Sequence, residues 1–378
     1  MKIFKISNSA DFMALCARIN CTKEGAKIMR KKSILNFFYI KDLRTPAANI
    51  LKQDALSIGA ELVTAEHVIT GGANSDALLI ANDKQVEILS KKEKAQDFGL
   101  KNLAQFLGQN FKKPKICEIM GVLNLNFDSF NPASRTQNLN EAITKIEKMI
   151  EDGADYIDIG GVSSRPGSQY CGADEEFARI NGVISEIYRQ NLHEKVKFSL
   201  DSFDEYCARF ALDHGFSLIN DISANLNLIS VIKNYGAKYC LMHMQNSPQN
   251  MQNSPHYDDL ISEIDEFFAR NLAQIVQLGV EDVILDVGIG FGKTAEQNLI
   301  LIKNLEHFLH HEKPLLVGAS RKSVIDFYHK SSVEERLSGS LYLHLLAAQN
   351  GAGIIRVHDV KEHRQMLDLK SAYDKILL

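Results

Sequence analysis

The chain has 378 residues, 45% hydrophobic and 24% charged, an ordinary balance for a globular protein and a length comfortable for two domains. A formal net charge of −4 gives no reason to expect a nucleic acid or an anionic membrane as partner, so any affinity for phosphate must be local to a site. The 6 cysteines (Cys16, Cys21, Cys117, Cys171, Cys207, Cys240) form no C-x-x-C pair, which argues against a metal cluster or redox dithiol and for reduced, packed thiols in a cytoplasmic protein.

The first residues, Met1-Lys2-Ile3-Phe4-Lys5, resemble a secretion signal only briefly, because Asp11 and Arg18 interrupt the apolar stretch that should follow. No apolar run approaches the ~20 residues that span a bilayer. Residues 34–40, 77–81 and 86–89 then read as strands, and 46–58 and 92–108 as helices. The expectation is a small α/β domain over 1–112, with a boundary near Lys112-Lys113-Pro114 and no catalytic constellation. Gly71-Gly72 reads as a turn.

One alternation dominates the rest. Strands are predicted at 116–123, 156–159, 196–200, 216–219, 239–242, 283–285, 315–317 and 354–357. Between them lie helical patterns, the longest carrying Leu260, Ile261, Ile264, Phe267, Phe268, Leu272, Ile275 and Val276 on one face. Eight βα units over about 260 residues match a TIM barrel. Near-continuous apolar strands fit a sheet buried on both faces. An open doubly wound sheet is the alternative, but it would gather its site at one switch point. Here polar clusters follow essentially every strand, as eight loops at one barrel mouth require.

Those clusters carry the chemistry. Asn124 ends the first barrel strand and offers an amide oxygen to a cation or ligand, or serves as a turn residue. After the second strand comes Asp158-Ile159-Gly160-Gly161-Val162-Ser163-Ser164-Arg165-Pro166-Gly167, dense in glycine, hydroxyls and a cation. Asp201 with Ser202, Asn220 with Asp221, and Asp286 end the third, fourth and sixth strands. Acids and amides there are costly to bury unless paired, and together they suit the N–H edge of an aminopyrimidine; singly, each is equally well a helix cap. Met242-His243-Met244 reads as pocket wall, since no partner His or Cys lies at ligand spacing.

Asp286-Val287-Gly288-Ile289-Gly290-Phe291-Gly292-Lys293-Thr294 lacks the spacing of a P-loop and is expected to be a tight loop holding Phe291 near the pocket. Gly318-Ala319-Ser320-Arg321-Lys322-Ser323 supplies a cation, and Ser323 sits where a short helix would begin. Last, Arg356 and His358 alternate along the eighth strand. They therefore point to one side, a guanidinium fork beside a second nitrogen donor that suits a phosphate group.

With these motifs in order, residues 115–378 resemble the dihydropteroate synthases of folate biosynthesis. The matching segments are 120–130, 153–167, Asp201-Ser202, 219–222, 241–244, 284–293, 318–323 and 355–360. The resemblance implies a transferase that joins 4-aminobenzoate to 6-hydroxymethyl-7,8-dihydropterin diphosphate and releases diphosphate. It implies a pterin site of Asp201, Asn220, Met242, Asp286 and Lys322. It implies a diphosphate site of Asn124, Arg165, Arg356 and His358, and an aminobenzoate site of Ser164, Pro166, Phe291 and Ser323. Asp201, Lys322, Arg356 and His358 would carry catalysis, Asn124 would touch Mg2+, sulfonamides would compete for the aminobenzoate site, and the chain would form a homodimer.

This chain departs from the family where it has Asn126-Phe127 for Thr-Pro, Pro132-Ala133-Ser134 for Asp-Gly-Gly, Val162 for Glu and Val287 for Pro. A folate-dependent methyltransferase and a non-catalytic pterin-binding paralogue are the competing readings. The methyltransferase would need no diphosphate grip, and the altered first loop is the support for the paralogue.

Overall fold

The computed structural model describes residues 1–125, 132–162, 167–168, 170–247 and 249–377, with the backbone alone for 132–137. The chain divides into two compact units, one of residues 1–110 with 370–378 and one of 111–369.

The first unit holds an antiparallel sheet of three strands, β1 (Leu35–Leu43), β2 (Glu61–Thr64) and β3 (Ser75–Asn82), in the order β1-β3-β2. Leu43, Ala47, Leu51, Leu62, Leu79, Leu89, Leu100 and Leu107 form its core. Two expectations are corrected here. Val86–Leu89 is not a strand but lies within the helix Asp83–Lys92, because Asn82 caps the Gln85 amide while the Gln85 side chain returns the bond to Asn82, a reciprocal start signal that outweighs a short apolar run. The helix expected from 92 begins only at Leu100, after Gly99 takes a left-handed conformation at φ 93°. Strand β2 was not anticipated, its four residues being too short to show a period.

The second unit is a closed barrel of eight parallel strands: β4 (Glu118–Asn124), β5 (Tyr156–Gly160), β6 (Lys197–Asp201), β7 (Leu218–Asp221), β8 (Lys238–Met242), β9 (Val283–Asp286), β10 (Leu315–Val317) and β11 (Ile354–Val357). Strand β11 closes on β4, pairing Arg356 with Met120. Helices follow each strand, among them Ala173–Arg189, Glu205–Asp213, Leu260–Gln277, Ala295–Lys303 and Leu337–Gln349.

Alternate residues explain why these strands read as continuously apolar. Ile157, Ile159, Phe198, Leu200, Ile219, Leu241, Leu285, Val317 and Ile355 face outward and pack in one cluster with helix residues such as Ile180, Ile184, Phe268, Leu301 and Leu343. Met120, Tyr156, Leu218, Cys240, Ile284, Leu316 and Ile354 face inward and fill the barrel. Two residues further along each strand, on the same inward side, stand Val122, Asp158, Asn220, Met242, Asp286, Gly318 and Arg356. A polar layer thus rests directly on an apolar one at the carboxyl end of the barrel, where such barrels place their chemistry.

Candidate active site

Arg356 is the hub of that layer. Its Nε donates to Asp158 Oδ2 at 2.6 Å, and its Nη2 donates to Asp201 Oδ2 at 2.8 Å. Asn220 Nδ2 donates to the same Asp158 oxygen at 3.1 Å. Strands β5, β6, β7 and β11 are therefore bound together by one guanidinium and one amide. Two carboxylates beside one cation leave an excess of negative charge in a space from which water is largely excluded. Burial, opposed by Arg356 and reinforced by Asp158, pushes the Asp201 carboxyl up to about 7. Asp158 is fully buried and its Oδ1 has no hydrogen-bond partner.

Lys322 is the second cation. Its Nζ donates to the Ile289 carbonyl and stands 4.5 Å from the centroid of the Phe291 ring. Burial pushes the ammonium down to about 8, with Asp286 holding it up. Burial likewise raises the Asp286 carboxyl, against the pull of Lys322. Asp286 Oδ1 also accepts from the Gly288 amide at 2.7 Å.

The loop after β9 is as tight as its glycines suggest. Gly288 has φ 68°, and a Cβ there would lie 1.9 Å from the His243 carbonyl oxygen. Lys293 turns inward and is almost wholly buried. Its Nζ donates to the carbonyls of Phe291, Gly288 and His243 at 2.9, 3.1 and 3.2 Å, and lies 3.1 Å from His243 Nδ1. A lysine so engaged staples the loop to β8 and is turned away from any nucleotide-like ligand. Phe291 is thereby held beside Lys322. His243 packs edge-on against Phe267, with ring centroids 5.0 Å apart.

The loops after β10 and β11 zip together. Ser320 Oγ accepts from the His358 amide at 3.2 Å and lies 3.0 Å from its Nδ1, while Arg321 forks onto both oxygens of Asp359. A buried chain supports the junction. The Ala319 amide donates to His344 Nε2 at 3.0 Å, so His344 Nδ1 carries the proton and donates to His363 Nε2 at 2.8 Å. His363 Nδ1 in turn donates to the Asp359 carbonyl at 2.6 Å. Each imidazole is fixed in one neutral tautomer, and burial holds both below the usual histidine range. His358 itself reaches solvent, yet protein crowding and then Arg356 and Arg321 push it down to about 4. At neutral pH it offers a hydrogen bond rather than a charge.

Asn124 is exposed at the tip of β4. Its Oδ1 stands beside Gly160, 3.3 Å from where a Cβ would be, and Asp201 Oδ2 is 3.7 Å from the same point. Ser323 is exposed and opens the short helix Ser323–Tyr328, as predicted. Ser164, Arg165 and Pro166 lie outside the described residues, as do Asn126, Phe127 and Asp128 of the altered first loop; Pro132–Glu151 is helical. A cavity of about 330 Å³ opens beside the cluster, within the range of small-molecule sites. Asp201, Ser202, Phe203, Ile222, Met242, Met244, Tyr170, Glu176 and Phe267 are among its walls, so Met242 is the pocket wall it was read to be.

Two residues gain importance that the sequence did not give them, and a third loses the place it was expected to take. The sequence shows Asp158 only as one residue of a glycine-rich motif, although its inward parity on β5 points it at Arg356. Glu176, on the helix after β5, is buried at the cavity wall, and its Oε2 accepts from Tyr170 at 3.0 Å. Asp221, expected beside Asn220 among the pocket-floor groups, instead faces away from the polar layer, because successive strand residues point to opposite sides. It anchors the loop after β7 by accepting from the Ser223 and Asn225 amides and, at 2.7 Å, from the Tyr239 hydroxyl. No single-sequence signal separates such an anchor from a ligand.

Residues 120–358 match the model of a family described as pterin binding enzyme. The bifunctional dihydropteroate synthase/dihydropteroate reductase of Helicobacter pylori is 42% identical over 344 residues, 90% of each chain. The dihydropteroate synthase of Escherichia coli is 39% identical over 248 residues, 65% of this chain and 87% of that one. Among solved structures, Yersinia pestis dihydropteroate synthase in complex with a sulfonamide drug superposes with a TM-score of 0.64 at 35% identity, covering 71% of this chain and 96% of that one.

Proposed function

The chain belongs to the dihydropteroate synthase family of pterin-binding enzymes, and from that premise we propose that it joins 4-aminobenzoate to 6-hydroxymethyl-7,8-dihydropterin diphosphate, forming 7,8-dihydropteroate and diphosphate. The observation that carries the reading is Arg356 held between Asp158 and Asp201, with Asn220 on one side and the Lys322–Asp286 pair near by. Acceptors at the floor suit the N–H edge of an aminopyrimidinone ring, and Lys322 suits its carbonyl or ring nitrogen. Cations and N–H donors at the mouth suit a departing diphosphate.

No side chain among the described residues is poised to activate the weak aromatic amine, so the barrier is lowered by helping the leaving group depart. The displacement is largely dissociative: the pterinylmethyl–oxygen bond opens early, the dihydropterin spreads the developing cation, and ionised Asp201 stabilises it. Arg356, His358 and Arg165 receive the diphosphate, His358 as a hydrogen-bond donor that gains affinity for a proton as the anion arrives. The amine of 4-aminobenzoate then attacks the methylene carbon and loses its proton to water. Phe291, Ser164, Pro166 and Ser323 shape the aminobenzoate position, which a sulfonamide would contest.

The Asn124 amide oxygen is a hard donor at the rim, and Mg2+ takes one or two protein oxygens together with substrate phosphates. The residues present therefore fit that ion, which when bound supplies positive charge against the diphosphate. We place this chemistry in the barrel, bounded in the sequence as 113–378 after a domain of 1–112 and compact in the structure over 111–369, in a cytoplasmic homodimer. Among the described residues no helix is long and apolar enough to cross a membrane.

A second reading adds to the first. The Helicobacter pylori relative is also a dihydropteroate reductase, and its match spans 90% of this chain, more than residues 111–369 supply, so it continues into the first unit. On this reading the chain also reduces dihydropteroate with a hydride donor. The methyltransferase reading is disfavoured by Arg356, His358 and Lys322, which a reaction without a diphosphate leaving group does not need. Separating the products after mixing both substrates with Mg2+ tests the synthase. Dihydropteroate in step with diphosphate supports it, and pterin binding without product supports a binding paralogue. Oxidation of a reduced nicotinamide that depends on dihydropteroate tests the reductase.

A further inference from the structure

Outside the polar layer, three imidazoles converge on one carboxylate. Asp265 lies on the helix Leu260–Gln277, and His307, His310 and His311 lie on the 3₁₀ segment Leu305–His311. Asp265 Oδ1 stands 2.6 Å from His310 Nε2, 2.9 Å from His311 Nε2 and 3.4 Å from His307 Nε2. A 3₁₀ helix turns once in three residues, so His307 and His310 eclipse each other on one face. The ligand atoms of Asp265, His307 and His310 all lie within 4.8 Å of one another, and this is the one such group among the described residues.

The surroundings favour an ion. Phe268 and Phe308, both fully buried, pack edge-on to each other; His311 stands edge-on to Phe268, and His307 to Phe308. His310 and His311 side chains are only 8% and 7% exposed, while Asp265 and His307 are about a quarter exposed, leaving a way in from solvent. Two imidazoles and a carboxylate are the donors of borderline divalent ions such as Zn2+, which binds nitrogen and oxygen at about 2.0–2.2 Å. Mg2+ and Ca2+ take oxygen ligands and do not select this set.

We propose that Asp265, His307 and His310 bind one Zn2+-class divalent cation, with His311 as the outer hydrogen-bond donor that orients the Asp265 carboxylate. The ion ties the helix after β8 to the segment that follows the helix after β9. It is separate from the synthase site and does not rest on that reading.

The test uses the purified full chain, stripped with a chelator and titrated with ZnCl2 alone in excess Mg2+, by calorimetry and by competition with a chromophoric chelator. The wild type is expected to take up one equivalent. His307→Gln with His310→Gln is expected to lose it, and His311→Gln to weaken it by about 10- to 100-fold, as loss of an outer-shell partner does. His329→Gln, exposed elsewhere, is expected to bind as the wild type does. Unchanged dihydropteroate formation by each variant, should the synthase reading hold, or an unchanged circular dichroism spectrum otherwise, shows that it is folded. Loading the wild type with Co2+ gives a readout independent of any variant: a visible d–d band of low-symmetry N/O coordination is expected. The proposal is overturned if the wild type takes up no equivalent in excess Mg2+, or if the double variant keeps the wild-type stoichiometry and affinity.

Discussion

Arg356 Nε and Asp158 Oδ2 are 2.6 Å apart in the barrel and 198 residues apart in the chain. The contact joins β11 to β5 across the intervening β4, and it sets the electrostatics of everything near it. Asp158 is wholly buried, and Arg356 is the cation that it and Asp201 share.

Replacing Arg356 removes the partner of two buried carboxylates at once. Arg356→Ala is expected to lower stability by about 3–5 kcal/mol, the cost of breaking a buried ion pair from one side. It should lower turnover far more than it lowers aminobenzoate affinity. Urea midpoints together with kcat and aminobenzoate Kd check both halves. Comparable losses of turnover and affinity would count against a role in diphosphate departure.

Asp201 makes the pH dependence unusual. Its folded pKa of about 7 lies above the ordinary carboxylate value of about 3.9. Between those two values the folded state holds a proton that the unfolded state has released, so this group makes stability fall as pH rises from about 4 to 7. Asp201→Asn should therefore gain on the wild type across that window and hold a constant advantage above it. Wild-type kcat/KM should rise through pH 7 as Asp201 ionises. Denaturation midpoints at pH 5, 6, 7 and 8 decide the matter, and equal slopes for the two proteins would refute it.

Gly288 tests the loop. It has φ 68° and no room for a Cβ, whereas Gly236, at φ 61°, has open space around it. Gly236→Ala is expected to cost about 1 kcal/mol from backbone strain alone. Gly288→Ala adds a clash with the His243 carbonyl, so it should cost more and should raise the KM for the pterin substrate by moving Asp286 and that for 4-aminobenzoate by moving Phe291. Thermal unfolding and steady-state kinetics of the pair separate strain from clash.

The barrel was legible because its strands are apolar on both sides, which made eight short runs stand out at regular spacing. The inward direction of Arg356 was legible because parity on a strand is a rule of two, whereas His358 lies one residue past β11 and meets Ser320. The same rule applied to β5 would have found Asp158. Strand β2 gives no signal in four residues, and Val86–Leu89 reads wrongly as a strand because three apolar residues around Glu87 are too few to fix a period, while the deciding bond is between Asn82 and Gln85. Lys293 and the His344–His363 chain were not legible, since a buried lysine or histidine acquires its role from carbonyls and amides brought to it by other strands.

This barrel helps diphosphate depart and so lets an aromatic amine take its place on the pterinylmethyl carbon. The direct measurement is diphosphate release by the purified chain with 6-hydroxymethyl-7,8-dihydropterin diphosphate and Mg2+, with and without 4-aminobenzoate. Release is expected to depend on aminobenzoate and to be matched mole for mole by 7,8-dihydropteroate. Pterin binding with no diphosphate released in the presence of aminobenzoate would contradict it.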